Sequence, residues 1–169
     1  ILTIFMILFG VNFNVYFLFY VKKWKDGLRC EEARAYLGII LGSVALISFN
    51  IYHLVRNVEL TVRQAAFQVA SIITTTGFGS ADFDQWPEFS KCIMVLLMFI
   101  GACAGSTGGG IKVSRVIMML KSVKRELNAY LHPKSVRTIK MEGKALDQGA
   151  ISSVAVYFIT FTLIFAVSF

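Results

Sequence analysis

The chain has 169 residues, of which 56% are hydrophobic and 14% aromatic, and it carries a formal net charge of +7. Soluble domains contain about 45–50% apolar residues, so this excess excludes an ordinary soluble domain and indicates an apolar solvent. Fourteen of the seventeen Lys and Arg residues lie in two segments, 22–34 and 112–144. The positive-inside rule makes such segments cytoplasmic, and we therefore exclude nucleic acid as the partner of this charge.

Four runs contain no charged residue: 1–21, 36–55, 92–111 and 148–169. Each reaches the roughly 20 residues that a helix needs to cross a hydrocarbon core of about 30 Å. In lipid every backbone N–H and C=O must be satisfied within the segment, so these runs are expected to be helices. The sequence thus predicts an all-α, multi-pass integral membrane protein.

The first elements follow from the charges. Residues 1–21 are predicted to be a transmembrane helix that ends in the cytoplasm, and 22–35 to be a cytoplasmic loop that holds five basic residues. Residues 36–55 are then an outer helix that runs outward.

The next segment does not read like an external loop. Residues 61–73 show apolar positions at helical spacing, with Thr61 as the expected N-cap. A helix of this length spans roughly 20 Å, which is enough to reach the middle of the membrane and not to cross it. Non-helical backbone at that depth is tolerated only where it lines water or is buried in protein. We therefore predict a re-entrant pore helix.

The sequence Thr-Thr-Thr-Gly-Phe follows the pore helix at 74–78. Potassium is selected by backbone carbonyls that replace its hydration shell, and turning successive carbonyls to one side needs a residue that adopts positive φ. Gly77 supplies that conformation without steric cost. Threonine hydroxyls could add ligands or brace the loop. Asp82 and Asp84 follow, as cation-concentrating groups at the external mouth or as solvated loop carboxylates.

Residues 88–131 are predicted to be an inner helix broken by the glycines between Gly101 and Gly110. Each glycine costs about 1 kcal/mol relative to alanine inside a helix, so this stretch should unwind or bend. Gly101, with Gly105, fits a helix-packing pattern, whereas three consecutive glycines exceed what packing requires. The segment 132–147 is predicted to be a cytoplasmic connection with a hairpin turn at Glu142-Gly143, and 148–169 to be a further helix.

The pairing of Thr-Thr-Thr-Gly-Phe with Ala-Gly-Ser-Thr-Gly-Gly-Gly-Ile-Lys, about thirty residues later, resembles the third repeat of the Trk/Ktr/HKT potassium transporter superfamily. Within it, the chain is most similar to the membrane subunit of bacterial Trk systems. Residues 36–131 would be one complete helix–pore loop–helix repeat of four non-identical repeats around one potassium path. The resemblance implies that the carbonyls of Thr75, Thr76 and Gly77 ligate potassium, with Thr74 and Phe78 flanking them.

The resemblance also implies an intramembrane gate below the filter and several partners. The gate would comprise Gly105, Ser106, Thr107, Gly108, Gly109 and Gly110, and Lys112 would be a positive gate element or a snorkelling anchor. The implied setting is the bacterial inner membrane, with lipid, the remaining repeats, a homodimeric copy and a cytosolic nucleotide-binding regulatory subunit as partners. Potassium is the expected ligand, without an organic cofactor, and no set of catalytic residues indicates an enzyme.

Two other functions stay open. One is a subunit of a homotetrameric two-helix potassium channel, which would have no use for a helix before its first or after its second. The other is a non-transporting membrane scaffold, in which the glycines serve packing alone. Substitution of Gly77 separates the scaffold from both transport functions.

Overall fold

The computed structural model describes residues 1–131, 140–141 and 144–168. The chain divides into two compact units, Ile1–Val113 and Ser114–Phe169. The predicted all-α class is confirmed, and within the described ranges the exception is one pair of two-residue strands. The helices are α1 (Leu2–Phe9), α2 (Phe13–Tyr20), α3 (Trp24–Arg29), α4 (Glu31–Val55), α5 (Val58–Ile73), α6 (Glu88–Phe99), α7 (Val113–Leu131) and α8 (Gln148–Ser168); the strands are β1 (Lys140–Met141) and β2 (Lys144–Ala145).

The core of the first unit forms around α5, which packs against α1, α4 and α6. The buried side of α4 repeats at intervals of four and seven residues through Tyr36, Ile40, Ile47 and Ile51. These intervals are those of one helix face, so α4 turns a continuous apolar stripe toward the centre of the unit. The packing fixes the C-terminal end of α5, from which the candidate filter begins.

The single helix predicted over 1–21 is wrong, because α1 and α2 meet at an angle of 91°. Asn12 begins α2, and its side-chain oxygen accepts a hydrogen bond from the amide of Asn14 at 2.9 Å. Across the bend the Tyr16 hydroxyl donates to the carbonyl of Leu8 at 2.5 Å, and the Tyr36 hydroxyl donates to Ile7 at 3.2 Å. These bonds satisfy carbonyls at the end of α1 that a continuous helix would have satisfied itself. Hydrophobicity alone cannot detect such a break.

The predicted cytoplasmic loop over 22–35 is also wrong in part, because it contains α3 and the first turn of α4. The outer helix begins at Glu31 and not at residue 36. Glu31 and Glu32 lie in the first turn of α4, where carboxylates are stabilised by the positive end of the helix dipole. The prediction followed the uncharged run and therefore missed a charged helical start.

The pore helix begins at Val58, three residues before the predicted start at 61. Its N-cap is Asn57 and not Thr61: the Asn57 side chain accepts from the amide of Leu60 at 3.3 Å. Thr61 lies inside the first turns and donates its hydroxyl to the Asn57 carbonyl at 2.7 Å. Asparagine and threonine are both good N-caps, and the sequence offers no local reason to prefer one.

The predicted break in the inner helix is confirmed: α6 ends at Phe99, α7 begins at Val113, and residues 100–112 form an irregular loop between them. The uncharged run 92–111 is therefore not one membrane-spanning helix. Among the described residues, Glu31–Val55 and Gly149–Ser168 are long and apolar enough to cross a membrane, and α1 with α2 adds a third span if the bent pair counts as one.

The second unit contains most of α7, the strand pair and α8. Strands β1 and β2 are antiparallel, with Lys140 opposite Ala145 and Met141 opposite Lys144. The hairpin turn predicted at Glu142-Gly143 lies outside the described residues, as do 132–139 and the last residue of the helix predicted over 148–169. The guanidinium of Arg115 on α7 lies 3.9 Å from the ring centroid of Tyr157 on α8.

Candidate functional site

The backbone amides of the predicted filter point back at the end of the pore helix. The amide of Thr75 donates to the Ile72 carbonyl at 3.0 Å, and those of Thr76 and Gly77 donate to the Ser71 carbonyl at 2.9 and 3.4 Å. All peptide bonds in the described chain are trans, and a trans peptide holds its C=O antiparallel to its N–H. The carbonyls of Thr74, Thr75 and Thr76 therefore point away from α5. The same argument does not reach the Gly77 carbonyl.

Two residues of the predicted filter have left-handed backbone conformations. Gly77 has a φ of +80°, which confirms the predicted need for a glycine there. Thr75 has a φ of +55°, which the sequence did not suggest because β-branched residues rarely adopt it. A left-handed conformation costs a non-glycine residue roughly 1–2 kcal/mol. The residues around Thr75 must therefore hold it in place.

The threonine side chains brace the predicted filter segment. The Thr74 hydroxyl lies 2.6 Å from the Ala70 carbonyl and 2.8 Å from the Thr76 hydroxyl. The Thr75 hydroxyl accepts a hydrogen bond from the amide of Gly109 at 2.8 Å. Each of the three hydroxyls therefore has a protein partner.

The segment that leaves the filter is tied to the pore helix by a residue that sequence analysis missed. Gln68 is buried on α5, and its side-chain amide donates to the carbonyl of Ala81 at 2.7 Å. The predicted flanking residue Phe78, in contrast, has 64% of its surface exposed. Gln68 lies three residues after buried Ala65 and seven after buried Thr61, so it is on the buried face of α5, and a lone buried glutamine gives no sequence signal of its own.

The carboxylates after the predicted filter lie in an exposed turn, which one of them stabilises. Asp82 is exposed and caps a turn of 3-10 helix at Phe83–Gln85, accepting hydrogen bonds from the amide of Asp84 and the side chain of Gln85, both at 3.1 Å. Asp84 is exposed as well. These contacts favour the solvated loop carboxylate over the cation-concentrating group.

Residues 100–112, hereafter the glycine loop, fold back so that their two ends meet. The amide of Gly101 donates to the Ile111 carbonyl at 2.7 Å, and the amide of Val113 donates to Ala102 at 3.3 Å. A Cβ on Gly101 would lie 2.0 Å from the carbonyl oxygen of Gly109. The helix-packing interpretation of Gly101 is therefore wrong: this glycine lies outside any helix and permits two backbone segments of one loop to touch.

The glycine loop also contacts the filter. Besides the bond from Gly109 to Thr75, a Cβ on Gly108 would lie 3.4 Å from the carbonyl oxygen of Thr74. The Lys112 ammonium donates a hydrogen bond to the Gly108 carbonyl and so lies within the loop structure. The structure brings the sequence-predicted filter and gate residues together, and Gly105 to Thr107 lie on the far side of the loop, beside α1 and α2.

The whole chain, residues 1–169, matches the protein family described as "TrkH: Cation transport protein". It is 34% identical to the Trk system potassium uptake protein TrkH of Escherichia coli K12 over 99% of this chain and 35% of that protein. It is 30% identical to the Trk system potassium uptake protein TrkG of the same strain over 94% of this chain and 33% of that protein.

The fold likewise resembles a solved structure, the crystal structure of the potassium transporter TrkH from Vibrio parahaemolyticus. The two chains superpose with a TM-score of 0.87 at 33% identity, covering 98% of this chain and 36% of the other. The chain therefore spans about a third of the length of the relatives that it matches.

Proposed function

Because this chain belongs to the TrkH family of cation transport proteins, we propose that it contributes one quarter of the selectivity filter of a membrane protein that takes up potassium. The relatives named above are potassium uptake proteins. The chain is part of an integral protein of the bacterial inner membrane, in keeping with its apolar helices. The orientation with 22–35 and 132–147 in the cytoplasm belongs to the proposal.

The observation that carries the proposal is the direction of the filter carbonyls. The amide groups of the same peptides donate to carbonyls at the end of α5, so the carbonyl oxygens of Thr75 and Thr76 face away from it and accept no hydrogen bond from a described donor. Carbonyl oxygens without protein partners are the ligands that replace the hydration shell of potassium. The negative end of the α5 dipole points at the same place and favours a cation there.

We extend the predicted ligand set by one atom, the carbonyl oxygen of Thr74, because its peptide has the same orientation. Gly77 remains in the set, and its main contribution is the left-handed backbone that lets the chain leave the helix end. Thr76 contributes a carbonyl, while its hydroxyl is engaged with that of Thr74. The other three quarters of the ring would come from the remaining repeats of the full protein.

The glycine loop is proposed as the gate. It lies against the filter at Thr74 and Thr75, and it lacks regular helical hydrogen bonding over 100–112. A segment with few internal backbone hydrogen bonds can rearrange at lower cost than a helix, which suits a barrier that must move. Pairing of two copies and binding of a cytosolic nucleotide-binding regulatory subunit complete the proposal, and both rest on the resemblance alone.

Replacement of Gly77 by serine in the full-length transporter tests the filter. A side chain at a φ of +80° is strained by roughly 1–2 kcal/mol, so the filter shape and its preference for potassium should suffer. We expect the ratio of potassium to sodium uptake in proteoliposomes to fall by about 5- to 30-fold.

Gly79→Ser is the matched control. Gly79 does not have positive φ, and the nearest atom to a Cβ there is 3.9 Å away, so serine is accommodated. Equal ion ratios in the wild-type protein and the Gly77→Ser variant would reject the filter, and with it both the uptake subunit and the homotetrameric channel. They would favour the scaffold.

A further inference from the structure

The bend between α1 and α2 carries hydrogen-bonding groups that neither helix uses. We call residues 9–13 the corner. The amide of Cys103 donates to the Gly10 carbonyl at 3.1 Å, and the amide of Phe13 donates to the Gly105 carbonyl at 3.2 Å. The Phe9 carbonyl accepts from the amide and the hydroxyl of Thr107 at 3.4 and 3.3 Å. The far side of the glycine loop is thus held on the corner by backbone hydrogen bonds and by the Thr107 hydroxyl.

A buried carboxylate joins the same two segments. Glu32, in the first turn of α4, has 2% of its surface exposed. Its Oε1 accepts a hydrogen bond from the amide of Ala104 at 2.6 Å, and its Oε2 accepts from the side-chain amide of Asn12 at 3.1 Å. One side chain therefore connects α4, the corner and the glycine loop.

The hydrogen bonds that Glu32 accepts should be the strongest between the glycine loop and the corner. Hydrogen bonds to an ionised acceptor are about twice as strong as neutral ones. The positive end of α4 stabilises the charge in the first turn. A buried carboxylate is less well compensated when it loses two hydrogen bonds, so separation of the glycine loop from the corner has a cost in free energy.

We propose that Glu32 is a positioning residue which holds the glycine loop on the corner, and that opening of the path requires the bonds between Glu32, Ala104 and Asn12 to break. The gating half of this statement rests on the function proposed above. The docking half does not, because it concerns only where the loop lies.

The docking is measured on a native thiol. Cys103 is fully buried in the glycine loop, next to Ala104, and should become accessible when the loop leaves the corner. In the full-length transporter, Cys30, Cys92 and any cysteine of the remaining chain are replaced by alanine, so that Cys103 is the one reactive site. The rate of its alkylation by a small membrane-permeant maleimide is then compared between variants in proteoliposomes.

Two substitutions of Glu32 should give graded results. Glu32→Gln keeps an oxygen for the amide of Ala104 but places an NH₂ group against that of Asn12, and we expect labelling of Cys103 to be about tenfold faster. Glu32→Ala removes both bonds and should label faster still. The double variant Glu32→Gln with Asn12→Asp restores a donor–acceptor pair and keeps an N-cap on α2, so labelling should slow again.

Glu59→Gln is the matched control, because Glu59 also lies in the first turn of a helix, α5, but is exposed. It removes the same charge from the same helical position and should label like the wild-type protein. Size-exclusion profiles identify any variant that fails to fold, and if Glu32→Ala does so, Glu32→Gln with its rescue by Asn12→Asp decides the question.

The outcomes separate the two proposals. Faster labelling with altered potassium flux and an unchanged potassium-to-sodium ratio supports both. Faster labelling with unchanged flux supports the docking and contradicts the gate. Labelling of Glu32→Gln at the wild-type rate overturns the positioning role, whatever the flux.

Discussion

Thr75 is the residue at which the proposed filter is strained and also hydrogen-bonded to the glycine loop. Its φ of +55° costs roughly 1–2 kcal/mol. Its hydroxyl accepts a hydrogen bond from the amide of Gly109 at 2.8 Å. Because Gly109 is exposed in this chain, the net contribution of that hydrogen bond to stability is about 0.5–1.5 kcal/mol. The two energies are of similar size, so the hydrogen bond offsets most of the strain.

Thr75→Val separates these energies, because valine keeps the β-branch and the strain but has no oxygen to accept the bond. We expect residue 75 of this variant to lose its left-handed conformation in a fraction of molecules and the potassium-to-sodium uptake ratio to fall by about two- to twelve-fold. Thr75→Ser retains the hydroxyl and should resemble the wild-type protein. Thr75→Gly loses both the bond and the strain, and should lie closer to the wild-type protein than Thr75→Val does.

The assay is uptake of potassium and sodium by the full-length transporter in proteoliposomes, with the four proteins compared at equal reconstituted amounts. A Thr75→Val protein with the wild-type ratio would show that the hydroxyl does not hold the filter. A Thr75→Gly protein less selective than Thr75→Val would show that strain at this residue is not the quantity that matters.

Two further substitutions test the contacts around the filter. Gln68→Leu removes the hydrogen bond to the Ala81 carbonyl, which should cost about 1–3 kcal/mol and lower the potassium-to-sodium uptake ratio. Gln64→Leu, one turn earlier on α5, is its control. Equal uptake ratios in the two variants would refute the role of Gln68 in holding this segment. Gly101→Ala places a Cβ 2.0 Å from the Gly109 carbonyl oxygen, which should lower the free energy of unfolding of the purified protein by about 1–3 kcal/mol and lower its melting temperature. An unchanged melting temperature would contradict the observed backbone contact.

Local pattern was sufficient for the membrane class, the helical content and the broken inner helix. In lipid a run of about 20 uncharged residues must satisfy its own backbone groups, which favours helix, whereas a cluster of glycines disfavours it. The left-handed conformation of Gly77 was equally predictable, because glycine is the residue type that adopts positive φ at no cost. The ends of the helices were less predictable, since a run of apolar residues indicates burial in lipid and not the position of the first helical hydrogen bond.

What the tertiary structure decided depends on partners far away in the chain. The positive φ of Thr75 is held by an amide 34 residues later, and the carboxylate of Glu32 is satisfied by an amide 72 residues later. At the corner, the Phe9 carbonyl accepts a hydrogen bond from the hydroxyl of Thr107, 98 residues later. Each of these residues has an ordinary local role available, as a β-branched, helix-starting or capping residue, and a hydrogen bond between distant segments exists only after the helices have packed.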